Sequence, residues 1–469
     1  MSALPSHAAT DRPGPGGEPS GDAILEVRDL HTHFGVRQGL FARGEGAEVK
    51  AVDGVSFDVR RGEIFGLVGE SGSGKTTLGR TILGLAPATS GSIRWKGEEL
   101  VGLGEKRFRP LRRHLAMVSQ DPNAALNPAM TVVQGVGHPL RIHGIASSRA
   151  EVRQRVTEML ERCGLAPAER FLDVYPEDLS GGQKQRLVIA RALITEPEFV
   201  VADEPVAALD MSVRAKVLEL MLDLKNEMGL TYLYITHDLA SGKFLCDRIG
   251  ILYLGQMVEW GDSAGIYDDA QHPYTRSLLD AIPLPDPSRR DRIKRLPRGE
   301  IPDALNPPAG CRFHPRCPEA FAACGWEGRD LVEAIEERWT QVDEDTFERE
   351  LGMVGQLGDV ELTRQEVRFP SGQPHELASW LRRHGDQLPT RVATAIEDVR
   401  EDADGVVVRF RDAPEPAIQA VEGRQVSCHL YGVTVRPDGD HVGDPDPAAA
   451  AQEATPTPSW RASGADPAR

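Results

Sequence analysis

No stretch of this 469-residue chain approaches the run of about 18 apolar residues that a membrane-spanning helix needs. The N-terminus has no basic region followed by an apolar run, so no secretory leader is expected. The chain reads as cytoplasmic, reaching a membrane only through a partner. Positive charge is also short: 54 Lys and Arg against 71 Asp and Glu leave a net charge of −17. That argues against nucleic acid as the main ligand, because nucleic-acid binders carry basic surfaces. An acidic balance suits solubility, including in a salty cytoplasm. Cysteine is scarce, with six in the whole chain, and in a cytosolic protein these are not expected to form disulfides. Cys163 and Cys246 stand alone in apolar surroundings and read as small core residues. There is no internal repeat and no heptad pattern.

The length allows two or three domains. Residues 1–22 are rich in Gly, Pro, Ser and Ala and read as a disordered tail. Ile24–Val27 alternates as a strand does, and a second strand is expected near Val52–Val59, with a glycine-bearing loop between them. From there to about Gly265, apolar strand runs alternate with helical stretches, the pattern of an α/β domain with a largely parallel sheet. Residues 23–265 are therefore expected to form one domain. The Pro- and Arg-rich 266–310 reads as a connector. Residues 311–436 read as a small cysteine-containing α+β region, with a charged helix over Glu327–Leu351 and strands at Gly358–Val367 and Gly405–Phe410. Residues 437–469, rich in Pro, Asp and Ala, read as a second disordered tail.

The apolar run Ile64–Val68 is followed by Gly69-Glu70-Ser71-Gly72-Ser73-Gly74-Lys75-Thr76-Thr77, which opens a helix. This is G-x-x-x-x-G-K-[ST] in strand–loop–helix context. Its glycines let backbone N–H groups turn inward around phosphates. Lys75 can reach the β- and γ-phosphates, and the Thr76 hydroxyl can hold Mg²⁺. The helix N-terminus favours an anion. The plain alternative is a glycine-rich turn before a helix.

A second apolar run, Phe199–Ala202, ends in Asp203 and Glu204. Asp203 would bind Mg²⁺ through water, and Glu204 would polarise the attacking water as general base. Adjacent strand residues face opposite sides, so the two carboxylates can divide these tasks. The plain alternative is a solvated acidic turn.

Between these elements lies Leu179-Ser180-Gly181-Gly182-Gln183, which resembles the LSGGQ signature of ABC ATPases. Taken locally it is also a serine N-cap with glycines. The resemblance spans residues 24–265 and implies a P-loop NTPase of ABC type, with a RecA-like core and a helical signature subdomain. In that family the signature contacts the γ-phosphate bound by the other subunit, so ATP is sandwiched between two chains. The resemblance extends to Gln120 as the glutamine-loop residue, which contacts Mg²⁺ and water and senses the membrane partner. Asp210 resembles the D-loop aspartate, and His237 the switch histidine. Adenine is expected to stack on Phe34, with Phe41 as second choice. Where the family often has Thr-Ser after the Glu-Pro pair, this chain has Val206-Ala207, with no catalytic group lost.

Two stretches are similar to the oligopeptide/dipeptide importer branch: Ser119–Pro128 after the glutamine-loop strand, and Gly261–Leu279 with Leu305–Pro318 after the core. The branch implies two integral membrane permeases, a second ATPase subunit (identical or related) and an extracytoplasmic solute-binding protein. It also handles nickel and some sugars. The expected place is the cytoplasmic face of the cell membrane.

The late cysteines are Cys311, Cys317, Cys324 and Cys428, with five residues between the first two and six between the next two. Four cytosolic thiolates suit a [4Fe–4S] cluster or a tetrahedral Zn²⁺ site, but the spacing is not a C-x₂-C zinc pattern. Some members of the branch are thought to carry a [4Fe–4S] cluster here; zinc and free thiols remain the alternatives. The insert before Cys428 is longer than the family pattern and has no functional reading. Rival functions are a soluble ABC protein of translation or DNA repair, an exporter subunit, and a redox or metal sensor centred on the C-terminal region. The single cassette, the absence of heptads and the post-core segments disfavour the first two.

Overall fold

A computed structural model describes residues 23–35, 48–282, 297, 299–384, 387–402 and 405–431, with the backbone of 434–435 and 441–442. The tail 1–22, most of 437–469, and Phe41 lie outside the described residues. Among the described residues there are two compact units. The first takes the chain up to 308 together with 312–320 and 420–426; the second takes 309–311, 321–419 and the residues from 427 onward.

The first unit is built on an eight-stranded sheet. Its strands run in the order Ile418–Val421, Arg424–Ser427, Gln256–Asp262, Arg248–Tyr253, Ile64–Val68, Thr231–Thr236, Phe199–Asp203 and Leu115–Val118. The last five named strands that neighbour Ile64–Val68 and Phe199–Asp203 are parallel. Ile64–Val68, Thr231–Thr236 and Phe199–Asp203 are buried at every position. A parallel strand covered on both faces reads as a continuous apolar run, which is why these segments show no alternation. The two outermost strands at one edge, Ile418–Val421 and Arg424–Ser427, come from far along the chain, and Val426 and Gln425 pair with Glu259 and Trp260.

A second, antiparallel sheet has the order Glu48–Arg60, Ala23–Gly35, Ser90–Trp95 and Glu98–Glu99. The strand expected near Val52–Val59 is thus longer, spanning Glu48–Arg60. The helix Lys75–Ile82 sends Leu78 and Ile82 into one core shared by Leu25, Val27, Val55 and Phe57 of the smaller sheet and Phe65, Leu67, Val201 and Ile235 of the larger. A side chain at Gly79 would put a Cβ 2.8 Å from Val201 and 2.9 Å from Ile235, so the glycine sets how closely the helix lies on the sheet. Three further helices, Val132–Ile142, Arg149–Arg162 and Gly181–Leu193, pack on one another. Their buried faces carry Val136, Leu140, Val152, Val156, Leu160 and Leu187, at the i, i+4 spacing that lines one side of a helix.

Where the sequence suggests a connector, the structure places helices Ser263–Asp268 and Pro273–Ala281 in the first unit. The reason is a buried anchor. Glu259 is fully buried, and its carboxylate accepts the backbone N–H groups of Gln271 at 2.8 Å and His272 at 3.0 Å. Tyr274 is also fully buried.

The second unit sets helices Gly328–Trp339, Glu344–Val354 and Pro374–His384 with an antiparallel sheet of order Glu361–Leu362, Glu366–Pro370, Gly405–Phe410 and Ile396–Asp402. Leu331, Ile335, Val367, Phe369, Leu377, Val406 and Val408 fill its core. The single helix expected over Glu327–Leu351 is two. Asp343 caps the second by accepting the Thr346 N–H at 2.9 Å, and the break lets Arg338 reach the buried Glu350 at 2.8 Å. The strand expected over Gly358–Val367 is likewise divided, by a turn between Leu362 and Glu366.

Candidate functional site

The loop after Ile64–Val68 is shaped by contacts that exclude side chains. A Cβ at Gly69 would lie 2.1 Å from the Leu252 carbonyl oxygen. Gly74 sits at φ +101°, and a Cβ there would lie 2.0 Å from the Ala51 carbonyl oxygen. Only glycine meets both demands, which explains the fixed glycines of the motif physically. The loop delivers Lys75 and Thr76 to the start of the helix Lys75–Ile82. The Lys75 ammonium is buried and donates to the carbonyls of Gly69 and Glu70, both at 2.8 Å. Burial lowers its pKa, against the opposing pull of Glu204, Asp203 and Glu70.

Three parallel strands end beside this loop, and each delivers a polar residue there. Beyond Leu115–Val118 comes Gln120, at the end of Phe199–Asp203 come Asp203 and Glu204, and beyond Thr231–Thr236 comes His237. Carboxyl ends of parallel strands are where α/β sheets bind ligands. The Thr76 hydroxyl donates to Asp203 at 2.9 Å. Asp203 is buried, and that burial raises its pKa, with Thr76 lowering it and Glu204 raising it further. Glu204 receives the Gln120 amide at 3.1 Å and lies 2.9 Å from His237 Nδ1. Glu204 stands at φ +44°, past the strand end. Asp203 ends the strand and Glu204 lies at the bend just past it, so the backbone bend rather than strand alternation divides the two carboxylates, a correction to the expectation. A cavity of about 670 Å³ gathers Gly69–Gly72, Gly74–Thr77, Gln120, Glu204 and His237, with Val49, Lys50, Ala51, Leu278 and Ala304 also on its walls.

The chain has relatives among known proteins. A family model for ABC transporters matches residues 52–207. A second, for the C-terminal region of oligopeptide/dipeptide transporters, matches residues 258–324. The chain is 46% identical over 317 residues to the oligopeptide transport ATP-binding protein AppF of Bacillus subtilis, covering 67% of this chain and 94% of that protein. This chain belongs to the ABC transporter ATP-binding proteins. It is also 45% identical to the oligopeptide transport ATP-binding protein OppF of Escherichia coli, over 64% of this chain and 90% of that protein. A solved structure of cbiO1 from Clostridium perfringens aligns at TM-score 0.46 and 28% identity, over 53% of this chain and 92% of that one.

Other residues singled out in this ABC ATPase stand apart from the cavity. Ser180 caps the helix Gly181–Leu193: its hydroxyl accepts the Gln183 N–H at 3.3 Å, and the Gln183 side chain accepts the Ser180 N–H at 2.9 Å. Neither these residues nor Gly181 and Gly182 line the cavity of their own chain. Asp210 caps Met211–Met228, accepting from Ser212 and Val213, and hydrogen bonding, foremost from Ser212, lowers its pKa. Phe34 ends the first strand, 41% exposed, opposite Val49 of the cavity wall. Ser73 is buried beside Lys75, its hydroxyl 3.3 Å from the ammonium.

Cys163 and Cys246 are buried, and burial drives both thiols up, Cys163 to about 12. Cys311, Cys324 and Cys428 are buried in the second unit, while Cys317 belongs to the first. Burial raises the Cys324 thiol, and the nearby Cys311 and Cys428 raise it further. The Cys311 N–H donates to the Cys324 carbonyl at 2.9 Å. Cys428 lies outside both matched family segments.

Sequence reasoning missed a set of residues behind the phosphate loop. The Tyr274 hydroxyl lies 3.1 Å from the Glu70 N–H, and Arg316 pairs with the Glu70 carboxylate at 2.8 Å. Their segment was legible as branch-specific, but nothing local tied it to the loop. A second cluster joins His31 and His33 to Asp53, at 2.9 and 3.0 Å. Among the described residues this is the group spaced for a metal ion. Asp53 is already met by the Arg312 guanidinium and by Lys50. Burial raises the Asp53 carboxyl, but Arg312, His31 and Lys50 together hold it at about 2.

Proposed function

We propose that this chain binds MgATP in the cavity above Ile64–Val68 and closes around it with a second ATPase subunit. It thereby drives uptake of oligopeptides, dipeptides or a related solute through two membrane permeases served by an extracytoplasmic binding protein. The observation that carries the reading is the meeting of Gln120 and His237 on one carboxylate, Glu204, in the cavity that holds Lys75 and Thr76. The peptide solute and the membrane partners rest on the relatives and on the second family segment. No described helix is long and apolar enough to cross a membrane, so attachment at the cytoplasmic face would run through the permeases.

In this reading the glycine loop and Lys75 take the phosphates, and Ser71, Ser73 and Thr77 flank them. Thr76, Asp203 and Gln120 are the oxygen donors that would hold Mg²⁺, which supplies charge neutralisation at the β- and γ-phosphates. Glu204 takes the proton of the attacking water, oriented by His237 and Gln120. Phe34 stacks on adenine. Ser180, Gly181, Gly182, Gln183 and Asp210 serve the partner's nucleotide, in keeping with their standing apart from their own cavity.

Replacing Glu204→Gln tests the chemistry. ATP turnover should fall about 10²–10⁴-fold with nucleotide binding kept; undiminished turnover would sink the assignment of the base. The same variant, tagged and trapped with ATP in native membranes, should bring down two multi-spanning permeases. Recovery with ribosomes or DNA-repair factors instead would remove the transport reading.

We further propose that Cys311, Cys317, Cys324 and Cys428 hold a [4Fe–4S] cluster; the reading rests on the resemblance and on the four-thiol set, with Cys311 and Cys428 near enough to Cys324 to act on its thiol. Anaerobically purified protein should then carry iron and absorb visible light; colourless, iron-free protein would remove the cluster and leave zinc or free thiols.

A further inference from the structure

Glu70, the first variable residue of the phosphate loop, is held at three points. Its carbonyl takes Lys75, its N–H faces the Tyr274 hydroxyl, and its carboxylate takes a two-pronged contact from Arg316, at 2.8 and 3.2 Å. Arg316 is itself fixed. It is 7% exposed, donates to the Tyr253 hydroxyl at 3.3 Å, and lies 5.9 Å from the ring centres of both Tyr253 and Phe313. Tyr253, Tyr274 and Phe313 pack on one another at 4.6–5.3 Å, forming an aromatic wall behind the guanidinium. All of these residues belong to the first unit. A planar guanidinium held this way matches a carboxylate in both position and orientation.

We propose that Arg316 tunes the nucleotide site electrostatically: it cancels the Glu70 carboxylate, which would otherwise repel the phosphates. Glu70 lines the same cavity as Lys75. Unpaired, its charge would oppose the triphosphate and compete for the Lys75 ammonium. The role goes beyond any residue of the G-x-x-x-x-G-K-[ST] pattern, and places nucleotide affinity partly under the segment between Cys311 and Cys317.

The inference rests on reading 69–77 as the phosphate cradle, so the test includes a control for that reading. Affinity for a fluorescent ATP analogue is measured by titration for the full chain and for Lys75→Ala, Arg316→Ala, Arg316→Lys, Glu70→Gln and the Arg316→Ala/Glu70→Gln pair, each checked for fold by circular dichroism. Arg316→Ala should weaken binding about tenfold, the effect of one uncancelled charge near the phosphates. Its KM for ATP should rise more than its kcat falls. Arg316→Lys should lose less. Glu70→Gln alone should bind at least as tightly as the parent, and adding it to Arg316→Ala should recover most of the loss, which a merely structural arginine would not permit. Unchanged affinity in Arg316→Ala, or no recovery in the pair, overturns the proposal. If Arg316→Ala does not fold, weakened binding by Glu70→Gln overturns it and tighter or equal binding supports it. Parental affinity in Lys75→Ala would instead overturn the cradle reading beneath it.

Discussion

His272 shows how a single side chain ties stability to pH. It is fully buried, its Nδ1 accepts the Tyr274 N–H at 3.0 Å, and Phe313 and Arg276 lie beside it. Burial, aided by the charge of Arg276, pulls its pKa down to about 3. An unfolded histidine takes a proton near pH 6.5. At this residue the folded state therefore binds fewer protons between these values, and the histidine's contribution to stability falls as pH drops from about 6.5 toward 3. Between pH 7.5 and 5 the loss should be about 2 kcal/mol, the slope approaching about 1.4 kcal/mol per pH unit only below pH 6.5. Urea denaturation at pH 7.5 and 5.0 measures it. His272→Gln, which keeps an acceptor for Tyr274, should flatten the difference; an unchanged slope would assign the effect to other groups. At this scale the sequence makes Lys75, Thr76, Asp203 and Glu204 legible, because a short motif carries their chemistry. It leaves Arg316 and Glu70 unread, since the partners stand 246 positions apart and neither has a local signal.

The elements of the first unit were legible where burial is complete. Ile64–Val68 and Phe199–Ala202 have one apolar character from end to end, and a run of that length with turn signals on both sides suits a buried parallel strand. The stretch after Gly265 misled, because proline and arginine there resemble a linker. What makes Pro273–Ala281 a helix is proline at its first position, where no N–H is needed, and a carboxylate from a distant strand fastening 271–272. Glu327–Leu351 misled in the opposite sense. Its composition is helical throughout, and the break depends on Asp343 capping Thr346 and on Arg338 reaching Glu350 across the corner. Such a pair has no periodic trace in sequence, as one charged residue among many looks like a solvated face. Strand edges supplied from afar are equally silent, and Arg424–Ser427 joins the large sheet from beyond the second unit's main span.

At the scale of the whole molecule the decisive feature is that one chain gathers only part of the proposed machinery. Lys75, Thr76, Gln120, Glu204 and His237 share a cavity, whereas Ser180, Gly181, Gly182 and Gln183 cap a helix and do not reach it. Gly182 has no room for a side chain toward Val213, 2.7 Å from a built Cβ, and the helix start is held rigid by the reciprocal bonds of Ser180 and Gln183. A rigid helix N-terminus with glycine amides is suited to an anion. If that anion is the γ-phosphate on another subunit, hydrolysis dissolves the pair and blocked hydrolysis should preserve it. Glu204→Gln with ATP should therefore shift on size exclusion to the mass of two chains, alone if the chain pairs with itself or only with its related ATPase present if it does not. Adding Ser180→Arg, which places a bulky cation at the helix start, should abolish the shift while leaving ATP bound to the monomer. A pair that forms equally well without ATP, or that survives Ser180→Arg, would mean that nucleotide does not bridge the subunits and that the signature segment serves only its own helix.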